Sequence, residues 1–91
     1  MTIHKLEKII QQRATEENTG SYTKSLLDSG IAKCAQKVGE EAVETVIEAM
    51  RDKEELFLGE AADLMYHYLV LLQAKGYSLA DIETVLGQRH K

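Results

Sequence analysis

The sequence contains no proline and no tryptophan, a single cysteine, six glycines and only 5% aromatic residues. Without proline, nothing along the chain locks φ or removes a backbone donor, and the long stretches rich in Ala, Glu, Leu and Lys are free to continue as helices. An all-α fold follows. The lone thiol, Cys34, excludes an intrachain disulfide, so a reducing cytoplasm is the expected setting. The longest unbroken apolar run, YLVLL at 68–72, is far shorter than the ~20 residues a membrane span needs. The N-terminal MTIHKLEKII pairs no basic region with a long apolar one, and no leader or membrane association is expected. Positive charge is not in excess either. Eleven Lys and Arg stand against 15 Asp and Glu, for a net charge of −4 with both signs interspersed, which argues against nucleic acid as a partner.

What is present is a 91-residue chain with 44% hydrophobic content. That suffices for one domain over 1–91, but a chain this small buries only roughly 60–65% of its unfolded surface, so help from a second copy is expected. Thr2 is placed to cap a first helix whose Ile3, Leu6, Ile9, Ile10 and Ala14 keep helical spacing to about Glu17. Asn18 and Gly20 are turn formers. Ser21 or Thr23 can cap a short helix through Leu27, with Gly30 fitting a left-handed stop. Helical spacing resumes over 31–51 and again from about Lys53 to Lys75, where Gly76 suits the residue just past a helix. Ser78 and Asp81 form a capping-box-like pair for a last helix carrying Leu79, Ile82, Val85 and Leu86.

At about 100° per residue, Lys37, Glu40, Glu41, Glu44 and Glu48 fall within an arc of about 100° on the first long helix. Most of its apolar residues lie opposite, so taken alone this is a solvated face. The second long helix is apolar around nearly its whole circumference and is expected to be buried all round, yet Glu60, Asp63 and His67 share an arc of about 60° within it. Burying unpaired carboxylates costs several kcal/mol even after relaxation, so these acids need pairing, protonation or a cation. A short connection near Asp52 makes the two helices antiparallel neighbours and can bring both acidic sets into one cleft. Oxygen ligands without thiolate suit Mg²⁺, Mn²⁺ or Ca²⁺, and Mg²⁺ completes its shell with water or substrate phosphate. Phosphate chemistry is the natural inference. The alternative is a structural ion pair of the acids with Lys33 or Lys37. His67 by itself reads as a hydrogen-bonded core histidine, and Cys34 as packing. No Glu-x-x-His pair of the di-iron type and no His-Glu-x-x-His is present.

The pattern Glu40-Glu41-x-x-Glu44 followed by Glu60-x-x-Asp63 resembles the metal-binding signature of the all-α NTP pyrophosphatases, the MazG-like superfamily. SYT at 21–23, KVGEEAVET at 37–45, EAADLMYHYLVLL at 60–72 and RH at 89–90 narrow the resemblance to the phosphoribosyl-ATP pyrophosphatases of histidine biosynthesis. It covers nearly the whole chain. Many members of that family carry lysine two places after the threonine, where this chain has Ser25 and carries Lys24 instead, and a basic residue where it has Gln36.

This resemblance implies a bundle of about five helices and Mg²⁺-dependent cleavage of phosphoribosyl-ATP to phosphoribosyl-AMP and pyrophosphate, with Mn²⁺ as the alternative ion. It also implies Glu41, Glu44, Glu60 and Asp63 as metal ligands and Glu40 as a further ligand or supporting acid, the five together forming the catalytic set. Arg13, Lys33 and Lys37 are candidates for phosphate contacts. Ser21, Tyr22 and Thr23, with His67, are candidates for the nucleotide or phosphoribosyl part. A homodimer is expected to cover the all-round apolar helix. Two rival readings are a house-cleaning nucleotide pyrophosphatase and a non-catalytic helical dimerisation module whose acids form salt bridges.

Overall fold

A computed structural model describes residues 1–17 and 20–91; the turn expected at Asn18 lies outside them. The described residues form five helices and no strand: α1 Ile3–Thr15, α2 Tyr22–Asp28, α3 Ile31–Ala49, α4 Glu54–Lys75 and α5 Leu79–Arg89. The boundaries have local causes. Thr2 Oγ1 accepts from the Lys5 amide at 3.0 Å to cap α1, and Ser21 Oγ accepts from the Lys24 amide at 3.2 Å to cap α2. Gly76 ends α4 at φ 81°, the left-handed position in which a Cβ is unfavourable, after a terminal lysine that suits the negative end of the helix. The Ser78 and Asp81 capping box is present, so α5 begins where the pattern puts it. Gly30 also has positive φ, 97°, but its extended ψ makes it the N-cap of α3 rather than the stop of α2. Helix α5 is pinned from afar as well, since Glu7 accepts from the Leu79 amide at 2.6 Å.

Helices α3 and α4 form a hairpin joined by residues 50–53. Glu44 and Glu60 meet across it, while Glu48 shares a cleft with Leu56, which is the register of antiparallel helices. The apolar core occupies one end of this hairpin. Ile10, Leu26, Cys34, Leu69, Val70 and Leu72 are buried there, and α1 and α2 pack against α4 around them. Cys34 Sγ donates to the Leu26 carbonyl at 3.3 Å, and burial pushes its thiol above the usual range, so it packs rather than reacts.

The other end of the hairpin departs from the simple amphipathic expectation. On α3 the apolar Val43, Val46, Ile47 and Met50 are exposed, whereas Glu41 is only 8% exposed. Glu41 and Glu48 turn toward α4, while Glu40 and Glu44 stay exposed beside it. On α4, Leu56, Leu58 and Met65 are also exposed, so the all-round apolar helix is not buried all round within this chain. Asp63 is exposed, and of the three residues in its arc only His67 is buried. The physical reason is that α3 and α4 meet through their acids, which leaves the apolar sides of both looking outward. Among the described residues no helix is long and apolar enough to cross a membrane.

Candidate active site

Two helical periodicities build the site. Glu41 and Glu44 on α3 are nearly one turn apart, as are Glu60 and Asp63 on α4, so an antiparallel pairing presents four carboxylates on facing stripes. One oxygen each of Glu41, Glu60 and Asp63 lie within 4.8 Å of one another. Glu44 joins from the rim: it hydrogen-bonds with Glu60, and this contact is the largest reason the Glu60 carboxyl is pushed up to about 7. Burial, the Glu41 contact and the like charges of Glu44 and Glu41 act in the same direction. Two carboxylates cannot both accept, so the contact requires a proton, held on Glu60 and donated to its neighbours. With the acids ionised, Glu41 Oε2, Glu48 Oε2 and Glu60 Oε2 are buried oxygens with no donor. With the Glu60 carboxyl at about 7, its protonated form dominates below neutrality and its ionised form above it. Glu41, Glu60 and Asp63 could hold a divalent cation, which would relieve the same deficit at Glu41 and Glu60.

The remaining predicted residues fall into three groups. Glu40 is exposed and held on the surface of α3 by Gln36 Nε2 at 2.8 Å and Lys37 Nζ at 3.2 Å, first Gln36 and then Lys37 lowering its carboxyl below the usual range. Lys37 bridges Glu40 at 3.2 Å and Glu41 at 3.8 Å, and its ammonium is correspondingly raised. It does not pair with Glu60 or Asp63, as the ion-pair alternative requires of it. Lys33, exposed one turn earlier, also favours ionised Glu40. Arg13 pairs with Glu16 at 3.0 Å at the end of α1.

The third group lies where the acidic end meets the core. His67 is buried, and its Nδ1 lies 2.8 Å from the Asp63 carbonyl. A carbonyl only accepts, so Nδ1 carries the proton and, in the neutral ring, Nε2 accepts from the Tyr22 hydroxyl at 3.2 Å. The Tyr22 ring stands edge-on to His67 and stacks with Tyr66, with centroids 6.1 and 6.3 Å away. Thr23 is buried and its hydroxyl bonds the Tyr66 hydroxyl. Ser21, Thr23 and His67 thus have their polar atoms engaged inside the fold, while 55% of Tyr22 is exposed beside Lys37.

Sequence reasoning left two participants outside the site. Glu48 lies on the acidic arc but was not assigned a role; it lines a cleft of about 280 Å³ with Glu44, Ile47, Leu56 and Glu60. Its i,i+4 spacing from Glu44 is the signal that extends the row by one turn. Tyr66, the first of the two tyrosines in the LMYHY segment at 64–68, is the other, and nothing local distinguishes it from a core aromatic.

Comparison with known proteins gives the family. The family described as phosphoribosyl-ATP pyrophosphohydrolase matches residues 3–90. The chain belongs to the phosphoribosyl-ATP pyrophosphohydrolase family. Within that family it is 53% identical over 88 residues to the phosphoribosyl-ATP pyrophosphatase of Nitrobacter winogradskyi, covering 97% of this chain and 76% of the relative. To the phosphoribosyl-ATP pyrophosphatase of Pyrobaculum calidifontis it is 52% identical over 89 residues, 98% of this chain and 95% of the relative. The histidine biosynthesis bifunctional protein HisIE of Bacteroides thetaiotaomicron is 52% identical over 90 residues, which cover 99% of this chain and 44% of that relative. Membership in this family makes the chain a hydrolase acting on a phosphoric anhydride.

Proposed function

We propose that this chain hydrolyses phosphoribosyl-ATP to phosphoribosyl-AMP and pyrophosphate, in the histidine-biosynthetic setting its relatives are named for, using Mg²⁺ or Mn²⁺ in the cytoplasm. The observation that carries the reading is the meeting of Glu41, Glu60 and Asp63 in a chain that belongs to this family. All donors are hard carboxylate oxygens, and the donorless buried Glu41 oxygen fits a divalent cation better than it fits empty solvent. Glu41, Glu44, Glu60 and Asp63 are the residues that hold the ion, with Glu40 supporting from the rim. When bound, the ion neutralises phosphate charge and polarises the anhydride. The bond between the α and β phosphates breaks, water oxygen goes to phosphorus, and its proton leaves to a rim carboxylate or solvent. Lys33, Lys37 and Arg13 supply cationic contacts to the phosphates. Tyr22 offers its exposed ring to the nucleotide or phosphoribosyl part, held in place by Ser21, Thr23 and His67.

We further propose a homodimer. The accessible surface is 6467 Å², against about 5,300 Å² for a folded monomer of this mass. The radius of gyration is 14.3 Å, where a compact chain of this length has about 12 Å. The excess surface is larger than the roughly 800 Å² each partner contributes to a standard interface. Exposed Val43, Val46 and Met50 on α3 and Leu58 on α4 supply the apolar area such an interface buries.

Pyrophosphate release from phosphoribosyl-ATP, measured with and without Mg²⁺ and against a panel of deoxynucleoside triphosphates, tests the reading. Metal-dependent turnover selective for phosphoribosyl-ATP is expected. No metal-dependent turnover refutes it, and preference for a deoxynucleoside triphosphate assigns the house-cleaning activity instead.

A further inference from the structure

Three rings meet at the seam between α2 and the acidic end of the hairpin. Tyr66 stacks on Tyr22 with centroids 6.3 Å apart and planes 21° from parallel, and it stands edge-on to His67 at 5.0 Å and 82°. The Tyr22 hydroxyl donates to His67 Nε2, and His67 Nδ1 donates to the Asp63 carbonyl at 2.8 Å. Among the described residues these are the only ring-on-ring contacts, so the aromatic support of Tyr22 comes from α4 alone. The Tyr66 hydroxyl also bonds the buried Thr23 hydroxyl, a second tie between Tyr66 and α2, and burial raises its phenol, which stays protonated. Helix α2, with seven residues, is too short to hold its shape without such tertiary contacts. Tyr66 follows Asp63 by three residues on α4, nearly one turn. The ring that stacks on Tyr22 and the carboxylate beside Glu41 and Glu60 therefore belong to one rigid element.

We propose that Tyr66 is a positioning residue for the substrate: it fixes how far the exposed Tyr22 ring stands from the facing acids, and so sets the span between aromatic base and phosphoric anhydride that the site accepts. This rests on the reading of Tyr22 as a substrate contact and adds the residue that places it. An exposed aromatic face offers a stack to an aromatic base rather than to a sugar phosphate. With 55% of Tyr22 exposed while its hydroxyl is held by His67 and its ring by Tyr66, the part left uncovered is the part a base can reach. A base gains most from a platform that already stands in place, because no side-chain freedom is then lost on binding. Tyr66 supplies that preorganisation from the helix that carries Glu60 and Asp63, which ties the position of the base to the position of the reacting anhydride. It acts through Tyr22 and not on the substrate.

Steady-state kinetics on phosphoribosyl-ATP in a double-substitution cycle test the assignment. Tyr22→Leu removes the platform and is expected to raise KM at least about fivefold with kcat within about twofold, as for a contact made equally in ground and transition states. Tyr66→Met fills the space without a ring and should raise KM about three- to tenfold, the scale of one aromatic pair, again with kcat nearly unchanged. Tyr66→Phe keeps the ring and should return KM to within about twofold of wild type. In the Tyr22→Leu background, Tyr66→Met should have no further effect on KM, because the ring it places is gone. Additive effects of the two substitutions, or a Tyr66→Met variant that loses kcat at unchanged KM, overturn the positioning role. Wild-type KM in Tyr22→Leu overturns the Tyr22 contact itself, a result distinct from additivity. Circular dichroism establishes that each variant is folded, and Tyr66→Leu takes the place of Tyr66→Met if the latter is not. Failure of both to fold makes Tyr66 a packing residue and overturns the assignment equally.

Discussion

Raising the pH from 5 to 8 should destabilise the metal-free protein and strengthen its hold on Mg²⁺, both through the same carboxyl. Glu60 is pushed up from 4.5 to about 7, first by its hydrogen bond to Glu44 and then by burial and by Glu41. Because the folded value lies above the unfolded one, the stabilising contribution of this proton is full below about pH 4.5 and is lost as pH rises through 7. Glu40, shifted the other way, acts below its usual range and does not mask this window. With Glu60 at about 7, roughly nine in ten folded molecules hold the proton at pH 6 and roughly one in ten at pH 8. A cation that uses the Glu60 carboxylate must displace it. Binding should therefore release about 0.9 proton at pH 6 and about 0.1 at pH 8, with apparent affinity about tenfold weaker at pH 6 than at its plateau. Calorimetric Mg²⁺ titrations in two buffers of different ionisation enthalpy count those protons, and thermal melts in chelator follow stability. Glu60→Gln should flatten the melting curve across the window. A metal-free melting temperature that climbs from pH 5 to 7, together with no proton release at pH 6, refutes the shared-proton arrangement.

Glu41→Gln should abolish Mg²⁺ stabilisation and lower kcat at least about a hundredfold, while leaving the stability of the metal-free protein within about 1 kcal/mol of the parent; melts with and without Mg²⁺ check both halves, and a large loss of metal-free stability would assign Glu41 a structural role. Leu69, 2% exposed in the core, should cost about 2–5 kcal/mol on truncation to Ala, read from the midpoint of urea unfolding. Val46→Asp places a charge on an exposed apolar face of α3, so sedimentation equilibrium should find the variant shifted to monomer, whereas a monomeric parent refutes the dimer.

The helix boundaries were legible in the residues because capping and left-handed stops are local. Thr2, Ser21, Gly76 and the Ser78–Asp81 box act within four residues of the ends they define. The identity of the acids was also legible, since i,i+3 and i,i+4 spacing puts carboxylates on one stripe whatever that stripe meets. Contacts of Tyr22 with His67 and of Thr23 with Tyr66 were not, because they join α2 to α4 across 45 and 43 residues. Nor was the direction in which α3 faces. Its amphipathic pattern alone puts Val43, Val46 and Met50 inside and Glu41 in water, and the folded chain does the reverse. What the sequence by itself determined was therefore the set of helices, their ends and the carboxylates they carry. Only the tertiary structure decided that the two acidic stripes meet: a hairpin can pair either face of its helices, and the repulsion between facing acids is relieved by a proton on Glu60 that no single helix could have revealed.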